Sequence, residues 1–279
     1  MTLEEGARLL AEAGLESPRA EARLLYAHAL RVSRDETLSP MLKPTPTQAA
    51  SFAAMIARRA AREPAAYITG TKEFWSMDFE VGPGVLVPRP ETETLIEEAL
   101  KLIPDRKALL RIADLGAGSG AILLAALAEF PNARGIGFEF SPDAFAWAKR
   151  NAARHAPERA EIRLADWASV AGEGRGPFDL VFSNPPYIPS AEIPALDPEV
   201  SRFEPRAALD GGPDGLSAYR ALRDLLPQVV APRGHALLEL GAGQAKSVEA
   251  AFQGSRLRPL RTVPDLAAIP RVLVLEKDA

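Results

Sequence analysis

Apolar residues recur at helical spacing from the start of the chain to about residue 70, then give way to short, nearly unbroken apolar runs. In the first stretch Thr2 stands three positions before Glu5, which marks a capped helix start. Leu3, Leu9, Leu10 and Ala13 follow as one stripe, which Gly14 interrupts. Pro18 opens a second helix carrying Ala22, Leu24, Leu25, Ala29 and Leu30. A third begins near Thr47, with Phe52, Met55 and Ile56 at helical spacing, after a Pro-rich connector from Ser39 to Pro46. The pattern predicts a small helical bundle.

Residues 72–88 change character. Phe74, Trp75, Phe79, Val81, Val85 and Val87 favour extended structure, and Gly82-Pro83-Gly84 predicts the turn of a hairpin bridging two domains. Pro88-Arg89-Pro90 stiffens the chain ahead of a helix predicted over Glu91 to Leu102. From Ala108 onward strands and helices alternate. Strands are predicted at 110–115, 134–140, 161–165, 178–183, 235–240, 257–262 and 271–276, and helices at 119–129, 142–155, 214–230 and 244–252. Short apolar strands interleaved with helices imply an α/β fold, a seven-stranded, mostly parallel, doubly wound sheet covered on both faces. The domain reading is a helical domain over 1–71, a hairpin linker over 72–90 and an α/β domain over 91–279. Between them, Ile188 to Pro213 is Pro-rich and without strong period, a loop long enough to imply a task and a short helical turn or two.

Composition narrows the function. Of 279 residues 47% are apolar, enough for a substantial core. No apolar run is long enough to cross a bilayer, and the acidic start, MTLEEGARLL, lacks the features of a secretory signal, so a cytoplasmic protein is expected. The absence of Cys excludes disulfides and thiolate chemistry. His28, His155 and His235 are far apart and read as helix-surface or loop residues, so no metal is expected. A net charge of -4, from 33 basic and 37 acidic residues, argues against a dedicated DNA-binding protein.

The chemistry is concentrated in two motifs. FDLVF, Phe178 to Phe182, reads as a buried strand, and SNPPY, Ser183 to Tyr187, must end it, because each Pro lacks an N–H and fixes its own φ. The resulting loop offers the Asn184 amide, main-chain carbonyls at Pro185 and Pro186, and the ring of Tyr187. Such a set suits a planar group bearing an NH2. Upstream, DLGAGSG, Asp114 to Gly120, ends another strand; its glycines permit a tight turn and close approach of a ligand, and a helix N-terminus follows. Glu139 ends the next strand, where a carboxylate can bind both ribose hydroxyls. Asp166 and Trp167 end the third, placed to accept from an adenine amine and to pack on the purine. Asp114 beside the ammonium of an amino-acid tail fits better than Asp114 beside a pyrophosphate, so S-adenosylmethionine is favoured over a dinucleotide. The cofactor set is therefore Asp114, Gly116, Ala117, Gly118, Ser119, Gly120, Glu139, Asp166, Trp167 and Asn184.

These motifs, with REPAAYITGTKEFW (Arg62 to Trp75), LVPRPETE (Leu86 to Glu93), RFEPRAALDGGPDGLSAYR (Arg202 to Arg220) and LLELGAGQ (Leu237 to Gln244), resemble the bacterial protein-glutamine N5-methyltransferases that act on peptide chain release factors. The resemblance spans nearly the whole chain. It departs at Glu139, where the family usually has Asp, at Arg233-Gly234 in place of Gly-Gly, and at DLAAIPR, where Ala268 replaces Gly. The resemblance implies a class I, Rossmann-like methyltransferase that transfers a methyl group from S-adenosylmethionine, leaving S-adenosylhomocysteine. The acceptor implied is the glutamine of the GGQ tripeptide of a release factor.

The residue logic agrees. A primary amide nitrogen is a poor nucleophile, and two acceptors, the Asn184 side-chain carbonyl and the Pro185 main-chain carbonyl, can orient its NH2 and stabilise the charge that develops. Tyr187 is expected to pack on the amide plane. Asn184, Pro185 and Tyr187 form the expected catalytic set, and Pro186, Arg89 and Glu91, with Thr92, are expected to line the substrate cleft. The helical domain is expected to grip the release factor, and the enzyme to be a monomer without stable nucleic-acid binding. An adenine-N6 nucleic-acid methyltransferase is the first rival, since NPPY can orient a flipped base; a noncatalytic translation-associated binding protein is the second.

Overall fold

The computed structural model describes residues 1–39, 41–172 and 176–279. It divides into two compact units, one of Met1–Thr71 with Asp197–Phe203, the other of Lys72–Leu196 with Glu204–Ala279.

The first unit is helical: α1 (Leu3–Glu12), α2 (Pro18–Leu30), α3 (Pro46–Ala60) and the short α4 (Ala65–Thr69). Thr2 and Glu5 form the expected reciprocal cap, as do Thr45 and Gln48 at α3. Leu10, Leu25, Phe52 and Ile56 are buried together, and Tyr26 meets Phe52 edge-on with ring centroids 5.0 Å apart. One short helix of this unit, α9 (Pro198–Phe203), comes from far along the sequence. Its Glu199 accepts from Arg59 at 2.8 Å and pairs with Arg62 at 2.7 Å, while Arg59 also pairs with Glu21. Arg59 is buried, and two carboxylates around one guanidinium compensate its desolvation.

The second unit opens with a hairpin, β1 (Thr71–Phe74) and β2 (Met77–Glu80), which starts on the last residue of the first unit. Its turn is Trp75-Ser76, both at left-handed φ (52° and 56°), and not Gly82-Pro83-Gly84. Trp75 is held there because its main-chain N–H donates to Glu93 and its indole N–H to Glu129. The valines at 81 and 85 are buried, but in an irregular segment. Phe74 and Phe79 join the core of this unit.

The remaining elements are α5 (Glu93–Leu102), β3 (Arg111–Leu115), α6 (Ala121–Glu129), β4 (Arg134–Glu139), α7 (Pro142–His155), β5 (Ala160–Leu164), α8 (Trp167–Val170), β6 (Phe178–Ser183), α10 (Ser217–Val229), β7 (Val230–Glu239), α11 (Ala245–Ala251), β8 (Leu257–Pro264) and β9 (Pro270–Lys277). Seven strands form one sheet in the order β5-β4-β3-β6-β7-β9-β8, and only β9 runs against its neighbours. Strand alternation sorts the core into two layers. Leu180, Phe182, Leu237 and Val274 face α5, α6 and α7; Val181, Ala236, Leu238 and Leu273 face α8, α10 and α11. This is the α/β sheet, covered on both faces, that the alternating pattern predicts. His235 lies within β7, half-buried beside Glu276, rather than on a helix or loop.

The chain runs from β3 outward through β4 to β5, then returns to β6 on the other side of β3. That reversal opens a crevice at the carboxyl ends of β3 and β6, the usual ligand position in such sheets.

Candidate active site

A cavity of about 500 Å³ occupies this crevice. The glycine loop forms one wall. The main-chain N–H groups of Gly116 and Ala117 both donate to the Phe138 carbonyl, at 2.9 and 3.0 Å, which ties the loop to the end of β4. Gly116, Gly118 and Gly120 all have positive φ. A side chain at Gly116 would also meet the Trp167 ring at 3.4 Å, so the bare backbone keeps the wall open.

Glu139 reaches the cavity from the end of β4. Its two oxygens accept from the N–H of Gly118 and of Ser141, each at 2.8 Å. Burial pushes its pKa up, and these two backbone donors act against that shift. A carboxylate has further lone pairs, so Glu139 can still accept from vicinal hydroxyls. Asp166, Trp167 and the exposed ring of Phe140 line the cavity as well. Phe140 escaped the sequence reading; its position directly after the strand-ending acid was the available signal.

Asp114 is placed differently from its neighbours in the motif. It is fully buried and does not line the cavity. One oxygen accepts from Leu123 N–H at 3.3 Å, in the first turn of α6, and the other has no partner. Burial, with the Glu139 charge adding to it, pushes its pKa up to about 7. Gly120 is likewise behind the wall, at the start of α6.

Opposite stands the loop after β6. Asn184 and Pro186 line the cavity; Pro185 is buried, and Tyr187 faces away from it. The Asn184 side-chain NH2 donates to the Thr92 hydroxyl at 3.3 Å. Tyr187 is fixed from behind: its hydroxyl reaches Glu239 at 3.4 Å and its carbonyl accepts from Gln244 at 2.8 Å. Gly215 packs so close that a Cβ there would lie 2.4 Å from the Tyr187 carbonyl oxygen. The DGGPDG and LELGAGQ segments therefore brace the NPPY loop.

Arg89 lines the cavity and donates to both oxygens of Glu204 at 2.7 Å, whereas Glu91 is exposed and outside it. Glu204 is buried, which raises its pKa, and the Arg89 guanidinium opposes that. The pair joins PRPETE to FEPRAAL, whose Pro205, Ala207 and Ala208 complete the wall.

The donor set decides which cofactor class fits. Among the described lining residues Arg89 is the one cation, and its charge is met by Glu204; Glu139 and Asp166 are acids. A pyrophosphate over the glycine loop would find no counter-charge, whereas a cationic sulfonium ligand with a nucleoside would find acids, hydroxyl acceptors and aromatic faces. S-adenosylmethionine fits these residues. Among the described residues, no group of His, Asp and Glu is gathered as metal ligands, and no helix is long and apolar enough to cross a membrane.

Known proteins align with this arrangement. The pattern of the PrmC N-terminal domain matches residues 2–70, and that of a methyltransferase domain matches residues 106–230. The release factor glutamine methyltransferase of Rhodospirillum rubrum is 45% identical over 279 residues, covering 99% of this chain and 84% of its own length. That of Caulobacter vibrioides is 44% identical over 267 residues, covering 95% and 91%. A solved methyltransferase from Pyrococcus furiosus, 18% identical, shares the fold with a TM-score of 0.52 over 81% of this chain and 98% of its own. With two relatives above 40% identity along nearly its whole length, the chain belongs to the release factor glutamine methyltransferase family.

Proposed function

We propose that the protein methylates the side-chain amide nitrogen of the glutamine in the GGQ tripeptide of a peptide chain release factor. Bound S-adenosylmethionine supplies an electrophilic methyl group on a sulfonium. Glu139 would hold the ribose hydroxyls, Trp167 and Phe140 would cover the adenine, Asp166 would accept from its amine, and Gly116 to Ser119 would give way to the rest of the ligand. Asp114 shapes the loop from beneath by tying it to the start of α6.

The observation that carries the reading is the orientation of Asn184. Its NH2 is engaged by Thr92, so its carbonyl oxygen is the atom left for a ligand. The Pro185 carbonyl, although Pro185 is buried and off the cavity lining, is the second acceptor this reading assigns to the substrate NH2 group. Both hydrogens of the substrate amide are then held, its plane is fixed, and the positive charge growing on nitrogen meets two fixed dipoles. Transfer would form the N–C bond at the expense of the donor's C–S bond, and the nitrogen would release one proton to water. Tyr187 supports this loop from behind. The helical unit docks the release factor.

The test is incubation of the protein with labelled methyl donor and either an intact release factor or duplex DNA. Label on the GGQ glutamine, located by mass spectrometry, is the expected result; label confined to adenine would overturn the reading.

A further inference from the structure

Glu239 is fully buried at the end of β7, does not line the cavity, and has no part in the chemistry above. It follows Leu238, which pairs with Ser183 of β6, so it stands beside the start of the NPPY loop. One of its oxygens accepts from the Thr92 hydroxyl at 2.6 Å, the other from the Tyr187 hydroxyl at 3.4 Å. Thr92 in turn accepts from Asn184 at 3.3 Å. We propose that Glu239, acting through the Thr92 hydroxyl, fixes which way the Asn184 amide faces and is thus a positioning residue for methyl transfer.

The two ends of an Asn amide have nearly the same shape, so hydrogen-bond partners decide its orientation. A hydroxyl has one hydrogen. An ionised carboxylate can only accept, so it claims the Thr92 hydrogen and leaves Thr92 only a lone pair to offer. Asn184 must then turn its NH2 to Thr92 and its oxygen to the cavity. Once that carboxyl carries a proton, or is an amide, it has a donor of its own to turn on the Thr92 oxygen; the Thr92 hydrogen is then free to bond the Asn184 oxygen, and the amide presents NH2 to the substrate NH2, donor against donor.

The charges around Glu239 bear on its ionisation. The hydroxyls of Thr92 and Tyr187 bond its carboxylate, the charges of Arg271 on β9 and of Glu91 act on it, and Tyr219 of α10 donates to its main-chain oxygen. Burial pushes its pKa up to about 7, with Glu91 adding to the rise and Thr92, Arg271 and Tyr187 opposing it. Methyl transfer should therefore fall on the acid side of neutrality as the relay is protonated.

The inference rests on the reaction proposed above, and the experiment separates the two. Wild type, Thr92→Val, Thr92→Ser and Glu239→Gln are compared for release-factor methylation, for binding of S-adenosylhomocysteine by calorimetry, and for folding by circular dichroism. Thr92→Val and Glu239→Gln are expected to lower kcat by about 30- to 300-fold, with ligand affinity within about threefold of wild type. Thr92→Ser, which keeps the hydroxyl, should recover to within about fivefold, and Glu239→Gln should lose the acid limb of the pH profile. If Thr92→Val matches wild type, or Thr92→Ser falls as far as Thr92→Val, the relay is wrong. Should Glu239→Gln fail to fold, the Val and Ser variants of Thr92 decide alone. A wild-type protein that labels no release factor refutes the reaction itself, and the relay with it.

Discussion

Two polar residues at the site behave differently for a physical reason. Asn184 has its NH2 held by Thr92 and its oxygen left for the acceptor amide, so its loss should be felt in transfer more than in ligand binding. Asn184→Ala should keep affinity for S-adenosylmethionine while methylation falls by about 30- to 1000-fold, the value of one well-placed acceptor in a transition state. Wild-type turnover by that variant would remove Asn184 from the mechanism. Asp114 is buried with one oxygen unpartnered, so its charge costs the folded state stability. Its folded pKa is raised to about 7, above its ordinary 3.8, so the folded state holds the proton more tightly. Its stabilising contribution is full below the ordinary value and is lost as pH rises through about 7. Asp114→Asn keeps an acceptor for Leu123 N–H and should flatten this decline, read as the change in urea midpoint between about pH 5 and about pH 8. An unchanged pH dependence would show that Asp114 is not its source.

Among the elements, the strands and helices after residue 108 were legible because burial on both faces leaves nearly pure apolar runs, and the glycine and NPPY motifs mark where two of them stop. The hairpin turn was not. Gly82-Pro83-Gly84 carries the usual turn chemistry, while Trp75-Ser76 turns the chain only because Glu93 and Glu129, distant in sequence, hold Trp75. The same limit hid Glu239 and Gln244: a buried carboxylate and an amide inside LELGAGQ gain meaning only from what they brace. Two departures from the family pattern were visible but silent in sequence. Arg233 and Ala268 stand where the pattern that the chain resembles has Gly, and both adopt left-handed φ, 59° and 60°. Both are exposed, so no packing offsets the strain. The strain for an L-residue, about 1–2 kcal/mol, exceeds the added chain entropy of Gly, so Ala268→Gly should stabilise by roughly 0.5–1 kcal/mol. Urea unfolding measures it, and a loss of stability would show that the turn does not need that backbone.

Across the whole molecule, chain order and packing diverge. Helix α9 follows the catalytic loop in sequence yet packs within the N-terminal unit, with Glu199 held by Arg59 and Arg62. Removing residues 1–71 therefore takes away more than a leading domain: α9 loses its unit, and Glu199 loses both cations that hold its carboxyl below the usual range. The cavity lies wholly among residues of the second unit. A fragment of residues 72–279 should thus still bind S-adenosylmethionine, while limited proteolysis cuts it first within Asp197–Phe203. Full-length Arg59→Ala tests the same clasp without truncation. It leaves Glu21 and Glu199 facing each other around a missing guanidinium, and should destabilise the helical unit by about 3 kcal/mol, within the range for breaking a buried pair. If the helical unit docks the release factor, both proteins should methylate intact factor poorly at undiminished cofactor affinity, with the defect in KM for the factor. Full activity of a folded 72–279 fragment on intact factor would rule that docking role out.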